Sequence, residues 1–295
     1  MKSLFCLLAI IILSCSIFSC RNSKPINLQK TDTVAALHNN GINIAFSDTS
    51  VADTTLLFVH GWAINRSYWS NQVSYFKNRY RIVTIDLPGF GQSGGNRDKW
   101  GTREYSNDVD SVINQLQLKK VILIGHSMAG EIVLQAAIDN PYKVIGIVGV
   151  DNFKNVGVQQ TEKDKKEFTD AIGQMRKNFK GVATQWFNQQ LFSKTTSPEI
   201  KKRILNDVTH TDSTIATSTL EQGNDFDDLA KLQQYKQKLY LINSDVTPTG
   251  TKNMDAKKIP YQVFYTHGTG HFAMVETPVE FNKDLDRVIA DINKK

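Results

Sequence analysis

Residues 121–130 read VILIGHSMAG, and the organisation of the whole chain can be worked out from this stretch. Its first four residues are all apolar, which favours a strand buried on both faces. Apolar residues then recur with helical spacing from Met128 to Ile138, until Asn140-Pro141 ends the pattern. The sequence therefore predicts a sharp turn from strand to helix with Ser127 at the turn.

Similar apolar runs occur on both sides of this segment and alternate with helical patterns. Continuous apolar strands separated by helices are typical of a parallel sheet covered on both faces. Helical spacing is clearest at residues 102–118 and 279–292. The predicted fold class is therefore α/β, and the further strands are expected at 43–47, 56–59, 81–85, 144–150, 239–242 and 261–265.

Residues 155–231 differ from the rest of the chain because they are charged, rich in helical spacing and poor in strand patterns. Amphipathic pieces stand out at 168–179 and 200–208. The strand pattern returns only at residue 239. We predict a helical insertion at 155–231, and a core formed by 41–154 together with 232–295.

The turn at Ser127 resembles the nucleophile elbow of the α/β-hydrolase family, whose pattern is G-x-S-x-G. Here the pattern is Gly125-His-Ser-Met-Ala129, with Ala in place of the second Gly. The resemblance implies a mostly parallel central sheet flanked by helices, with a helical lid after the sixth strand. It also implies that Ser127 is the nucleophile, whereas the match alone also fits a surface serine.

Two further segments carry the same resemblance. The stretch LLFVHGW at 56–62 is similar to the family strand that ends in His-Gly. It implies an oxyanion hole formed by the backbone N–H groups of Trp62 and Met128, with His60 bracing the loop. The stretch DLPGFGQS at 86–93 is similar to a structural turn of the family. Residues 89–94 also spell G-x-G-x-x-G, but the polar sequence that follows argues against a dinucleotide site.

The last strand is followed by GTGHF at 268–272, which resembles the family's catalytic-histidine loop. By this resemblance His271 is the general base and then the general acid, a task that suits imidazole. His267 lies four residues earlier and could be mistaken for it. The spacing of the two histidines is that of a metal pair, but the loop is rich in glycine rather than helical. We therefore expect no metal and no cofactor.

The acid that would orient His271 is open between two aspartates. Most family members place it after the seventh strand, where this chain has Asp245 in LINSDVTP, without the expected Gly. Others place it at the end of the sixth strand, where this chain has Asp151 in GVDN. Asp151 is in the right register and is favoured here, and the other carboxylate is expected to be structural.

These residues predict a serine hydrolase that cleaves an ester or related acyl bond through an acyl-enzyme. Trp62, Trp186 and Phe187 are expected near the acyl substrate, although such aromatic residues also pack a lid onto a core. The alternatives are a non-catalytic binding or surface module on the same fold, and a haloperoxidase-like or acyltransferase-like member. The net charge of +6 is spread thinly, which argues against a nucleic-acid partner.

The first 20 residues, MKSLFCLLAIIILSCSIFSC, resemble a bacterial lipoprotein signal peptide. Cys20 would be the lipidated residue, and residues 21–40 would form a polar tether. The expected protein is exported and anchored by lipid to a membrane of the bacterial cell envelope.

Overall fold

A computed structural model describes residues 35–49 and 52–294 of the chain. In this part an eight-stranded sheet has the strand order β1-β2-β4-β3-β5-β6-β7-β8. The strands from β4 to β8 in that order are parallel, and β1 and β2 join the edge as antiparallel strands. The predicted α/β class is confirmed. The strands are β1 (Ala36–Asn39), β2 (Ile42–Asp48), β3 (Thr54–Val59), β4 (Arg81–Ile85), β5 (Lys120–His126), β6 (Val144–Val150), β7 (Leu239–Ser244) and β8 (Tyr261–Thr266).

Helices cover the sheet, and the central strands β3, β5, β6 and β7 are almost wholly buried beneath them. A 3₁₀ turn at Arg66–Trp69 and a π-helical turn at Phe187–Leu191 complete the regular structure. The helices are α1 (Ser70–Phe76), α2 (Thr102–Gln115), α3 (Ala129–Asp139), α4 (Glu162–Lys177), α5 (Phe179–Trp186), α6 (Pro198–His210), α7 (Ser213–Gly223), α8 (Asp228–Gln234), α9 (Lys252–Ala256), α10 (Ala273–Glu276) and α11 (Pro278–Ile292).

The segment between β6 and β7 contains five helices, α4 to α8, and no strand is described within it. The amphipathic stretch expected over 168–179 is divided between two of them at Asn178. This residue has a non-helical backbone, and its side chain caps α5 by accepting from the N–H of Gly181 at 3.2 Å. Apolar spacing continues through the break, so the pattern alone could not reveal it.

The predicted boundary of the tether needs correction. Residues 21–40 were expected to be a tether, but Ala36–Asn39 form strand β1 and pair antiparallel with β2. Alternate side chains of β1 are exposed, so its place in the sheet depends on backbone hydrogen bonds rather than on an apolar run. The core therefore begins no later than Ala36.

The proposed signal peptide and Cys20 lie outside the described residues. Within 35–49 and 52–294, none of the helices combines the length and apolar character that a membrane span requires.

Adjacent parallel strands bring the predicted site residues to one edge of the sheet. Ser127 directly follows β5, Asp151 follows β6, and the loop with His271 follows β8. Because β5 pairs with β6, and β7 lies between β6 and β8, the carboxyl ends of these strands form one continuous rim. Ligands of open α/β sheets bind at this rim.

Candidate active site

Ser127 lies on a strained turn between β5 and α3. Its φ of +54° is in the left-handed region, which costs a residue with a side chain about 1–2 kcal/mol. The turn is tight because a Cβ on Gly125 would lie 2.4 Å from the carbonyl oxygen of Ala129. Only glycine fits there. The partly exposed Ser127 is thereby held at the end of the strand.

Asn152 braces the turn from the neighbouring strand end. Its side-chain Nδ2 donates to the carbonyl oxygens of Gly125 at 2.8 Å and Ser127 at 3.2 Å. Asn243 in turn donates to the carbonyl oxygen of Asn152 at 2.9 Å. These amide contacts tie the ends of β5, β6 and β7 together.

His271 and Asp151 form a close, mostly buried pair. The distance between His271 Nδ1 and Asp151 Oδ2 is 2.5 Å, and the side chains are 13% and 5% exposed. Three further donors meet the other carboxylate oxygen, Oδ1. They are the N–H of Ser244 at 2.7 Å, its hydroxyl at 2.9 Å, and Lys154 Nζ at 2.8 Å.

These partners keep Asp151 ionised despite its burial. Burial alone raises the pKa of this carboxyl, but the hydrogen bond and charge of His271, together with Lys154, outweigh it. The pKa of Asp151 therefore lies well below its ordinary value. An ionised carboxylate at Nδ1 fixes the tautomer of His271 and leaves its Nε2 free to accept a proton.

His126 links the histidine loop to the turn of Ser127. Its ring centroid lies 4.7 Å from that of His271, and its Nε2–H donates to the His271 carbonyl oxygen at 2.9 Å. Burial, reinforced by His271, lowers the pKa of His126 to about 3, so the ring is neutral. The imidazole of His271 is thus held next to the residue that precedes Ser127.

Asp245 pairs with His267 rather than with His271. Its carboxylate meets His267 Nδ1 at 2.7 Å, and the side chains of His267 and Asp245 are 78% and 43% exposed. The contact with His267 lowers the pKa of Asp245. Of the two aspartates expected as the acid, the structure brings only Asp151 to His271.

The loop after β3 lies against the turn of Ser127. A Cβ on Gly61 would lie 2.6 Å from His126 Nδ1 and 3.0 Å from Ser127 Cβ, so Trp62 directly follows a close backbone approach. Met128 is the N-cap of α3, where the first N–H groups have no partner within the helix. Met128 directly follows Ser127, and Trp62 directly follows a glycine whose backbone lies against Ser127.

His60 lies beneath this loop as a fully buried brace. Its Nδ1–H donates to the Gly61 carbonyl oxygen at 2.7 Å, and its Nε2 accepts from the N–H of Leu87 at 2.9 Å. Burial lowers the pKa of His60, which keeps the ring neutral. The two ring nitrogens thus connect the loop after β3 to the segment after β4.

The aromatic residues expected near the substrate pack against one another. Trp62 is buried, its indole N–H donates to the Ala216 carbonyl oxygen at 2.8 Å, and its ring lies 5.4 Å from Trp186 and 6.0 Å from Phe187. Phe187 also stacks on Phe272 at 6.1 Å. A role in substrate binding for Trp62, Trp186 and Phe187 stays a prediction.

The π-helical turn in the insertion contacts the histidine loop directly. The Leu191 carbonyl oxygen, at the end of this turn, accepts from the N–H of His271 at 2.8 Å. π-helical turns often occur at functional sites. Within the described ranges, no group of three or more His, Cys, Asp or Glu side chains is arranged to hold a metal ion.

Sequence reasoning missed Asn152, Lys154 and Ser244. Asn152 and Lys154 follow Asp151 within three residues, and Ser244 ends β7, so their positions at strand ends were the available signal. Residue type alone did not mark them, because Asn, Lys and Ser are common in surface loops.

Comparison with known proteins now adds to this geometry. Residues 54–278 match the model of a protein family described as having the alpha/beta hydrolase fold. A pimeloyl-[acyl-carrier protein] methyl ester esterase from Wigglesworthia glossinidia brevipalpis is 30% identical over 151 residues, 50% of this chain and 56% of the esterase. The 3-oxoadipate enol-lactonase 2 of Acinetobacter baylyi is 22% identical over 81% of this chain and 89% of its own length.

Solved structures show the same fold. A thermophilic esterase from Thermogutta terrifontis superposes with a TM-score of 0.75 at 18% identity, covering 88% of this chain and 97% of the esterase. An enol-lactonase from Burkholderia xenovorans gives a TM-score of 0.74 at 14% identity, over 88% of this chain and all of the lactonase. At such identity the likeness concerns the fold alone.

Proposed function

This chain belongs to the α/β-hydrolase fold family, and from that premise we propose that it is a serine hydrolase acting on an ester or related acyl bond. The observation that carries the proposal is the buried pair of His271 and Asp151 beside the strained turn of Ser127. A histidine held by an ionised carboxylate next to a serine is the arrangement that activates a hydroxyl nucleophile.

In the proposed reaction, Ser127 Oγ attacks the carbonyl carbon while His271 Nε2 takes the hydroxyl proton. Asp151 holds the Nδ1–H and stabilises the imidazolium that forms. The N–H groups of Trp62 and Met128 hold the negative oxygen, aided by the N-terminal end of α3. His271 then protonates the leaving group. A water molecule hydrolyses the acyl-enzyme in a second round of the same steps.

The named relatives support a carboxylic ester or lactone as the substrate class. One is named a methyl ester esterase and the other an enol-lactonase, and esters and lactones both contain an acyl–oxygen bond. A serine at position 127 argues against the family branches that use aspartate as the nucleophile. We further assign residues 155–231 as a lid, supported by the contact between the Leu191 carbonyl oxygen and the N–H of His271.

We also propose export and lipid anchoring at Cys20, for which the support is the sequence of residues 1–20. Growth of expressing bacteria with an alkyne fatty acid tests this directly. The full chain is expected to acquire the label and the Cys20→Ser variant to lack it. Equal labelling of the two would contradict the assignment.

Pre-steady-state hydrolysis of p-nitrophenyl butyrate tests the proposed chemistry. The full chain is expected to release p-nitrophenol in a burst that equals the enzyme concentration, followed by slower turnover. Ser127→Ala should lose the burst and about 10⁴-fold or more in kcat. A folded wild type with no hydrolysis would instead favour a binding module on the same fold.

A further inference from the structure

A cavity of about 620 Å³ lies beside the proposed active site. It is an open cleft bordered by the start of α2, the first turn of α3, the segment before α4 and the end of α7. Met128 contributes to its wall, and this residue directly follows Ser127. The cavity therefore reaches the residue next to Ser127.

Four aromatic side chains and three acidic side chains line the cavity, whereas no Lys, Arg or His is among the described residues that line it. This is unusual in a chain with a formal net charge of +6. Aromatic faces beside carboxylates are the surroundings that organic cations prefer. The aromatic residues are Trp100, Tyr105, Phe168 and Phe226, and the acidic residues are Glu131, Asp164 and Asp228.

Two of the three acidic side chains already accept hydrogen bonds within the protein. Asp164 belongs to the capping box of α4 with Thr161, and Asp228 accepts from the N–H of Gly157 at 3.1 Å. Glu131 differs from them. Its Oε2 accepts one long hydrogen bond from the Thr102 hydroxyl at 3.3 Å, and its Oε1 has no hydrogen-bond partner among the described residues.

The side chain of Glu131 is half-buried, and among the described residues no Lys, Arg or His lines the cavity that it faces. Its burial, followed by the charge of Asp228, raises its pKa to about 8. Arg97, which lies 4.6 Å from the ring of Tyr105, is paired with Asp108 at 2.5 Å. Ionising a partly buried carboxyl that faces this cavity is costly unless a ligand supplies a positive charge.

We propose that this cavity binds the ammonium end of an amine-bearing acyl substrate, with Glu131 as the specificity-determining residue. Glu131 would pair with the ammonium group, while the aromatic walls contact its methylene groups and its positive charge. The assignment of the ligand as a substrate rests on the proposed function. The preference for an ammonium group does not, because it can be measured without turnover.

Binding of n-hexylamine and hexan-1-ol to the full chain tests this preference by calorimetry. The two probes share their chain and differ in charge at neutral pH. We expect the amine to bind more tightly, and Glu131→Gln to weaken it by about tenfold while leaving the alcohol unchanged. Glu162→Gln, a neutralised glutamate on the exposed face of α4, is the matched control and should leave both affinities unchanged.

A second readout separates pairing from a general electrostatic effect. Near pH 7 wild-type Glu131 is largely protonated, so binding of an ammonium ion should release a proton. Titrations in two buffers with different ionisation enthalpies report this proton. Glu131→Gln should release none. Equal affinity for amine and alcohol in the wild type, or equal amine affinity in Glu131→Gln, would overturn the proposal.

Turnover then separates the preference of the cavity for ammonium from the proposed hydrolase activity. The p-nitrophenyl esters of 6-aminohexanoate and heptanoate have matched chains, and the wild type should favour the former in kcat/KM. Glu131→Gln should reduce that preference by about tenfold, with heptanoate hydrolysis retained. Failure to hydrolyse either ester would contradict the hydrolase assignment, whereas the binding measurements still decide the cavity's preference for ammonium.

Discussion

Two aspartate–histidine pairs lie at the ends of neighbouring strands and look alike by distance. Asp151 lies 2.5 Å from His271, and Asp245 lies 2.7 Å from His267. Their surroundings differ greatly. Asp151 is buried and receives additional hydrogen bonds, whereas Asp245 and His267 are both largely exposed.

The comparison teaches that a short contact does not by itself indicate catalysis. In both pairs the histidine lowers the pKa of the carboxyl. At Asp151 burial is the largest influence and raises the pKa, yet His271 and Lys154 together outweigh it. Solvent screens this buried pair less than it screens the exposed pair of Asp245 and His267. A buried ion pair also orients its histidine, which an exposed pair with mobile side chains does less well.

The largest difference between the two pairs is expected when each carboxylate is neutralised in turn. Asp151→Asn is expected to lower kcat for p-nitrophenyl butyrate by about 10⁴-fold, because an amide no longer fixes the tautomer of His271 or stabilises its cation. Asp245→Asn should stay within about twofold, since its pair is exposed and separate. The reverse order of effects would assign the acid to Asp245.

A third carboxylate, Glu131, extends the comparison, since it is half-buried and no Lys, Arg or His among the described residues lines the cavity beside it. Its folded-state pKa of about 8 exceeds the ordinary value of 4.5, so stability falls as pH rises from about 4.5 through 8. The Glu131→Gln variant has no ionisable group at this position, so it does not lose this stability as the pH rises. We expect its free energy of unfolding to exceed that of the wild type by about 1–3 kcal/mol near pH 9.

Urea denaturation at the two ends of this pH range measures the effect. Near pH 4 the two proteins should be almost equally stable, because Glu131 is then protonated in both the folded and unfolded states. Equal stability near pH 9 as well would show that Glu131 ionises in the folded protein without cost.

A smaller loss of kcat is expected when one of the hydrogen-bond donors to Asp151 is removed. Ser244→Ala removes the hydroxyl that donates at 2.9 Å but keeps the backbone N–H that donates at 2.7 Å. Since one of several hydrogen bonds is lost, kcat should fall by about three- to tenfold. Ser193→Ala, a hydroxyl removed from the loop after the π-helical turn, is the control and should change kcat by less. A larger loss from the control would contradict a special role for Ser244.

The smallest effect is expected at the second histidine. His267→Ala removes the partner of Asp245, and both side chains are solvent-exposed. We expect kcat and its pH profile to remain within experimental error of the wild type. A shift of the pH profile would show that His267 takes part in proton transfer.

Much of the site could be predicted because its residues follow strands with strong apolar patterns. The run before Ser127 and the loop with His271 place both residues at the carboxyl edge of a parallel sheet. The acid could not be decided in this way, because Asp151 and Asp245 both follow strands at that edge. What separates them is the direction of each side chain, which depends on contacts distant in sequence.

Other features had weak or no local signals. Strand β1 is held by backbone pairing with β2, and its alternate residues are exposed, so its sequence resembles the tether that was expected there. The cavity beside Met128 is formed by elements far apart in the chain. Glu131 therefore looked like an ordinary polar residue in the first turn of a helix.

The most direct measurement is the rate at which a fluorophosphonate modifies the full chain, with the adduct located by peptide mass spectrometry. We predict one adduct, on Ser127, formed at the wild-type rate in Asp245→Asn and about 10³-fold or more slowly in Asp151→Asn. An adduct at another residue would contradict the account, as would unchanged labelling in Asp151→Asn. Either result would mean that the buried pair does not activate Ser127.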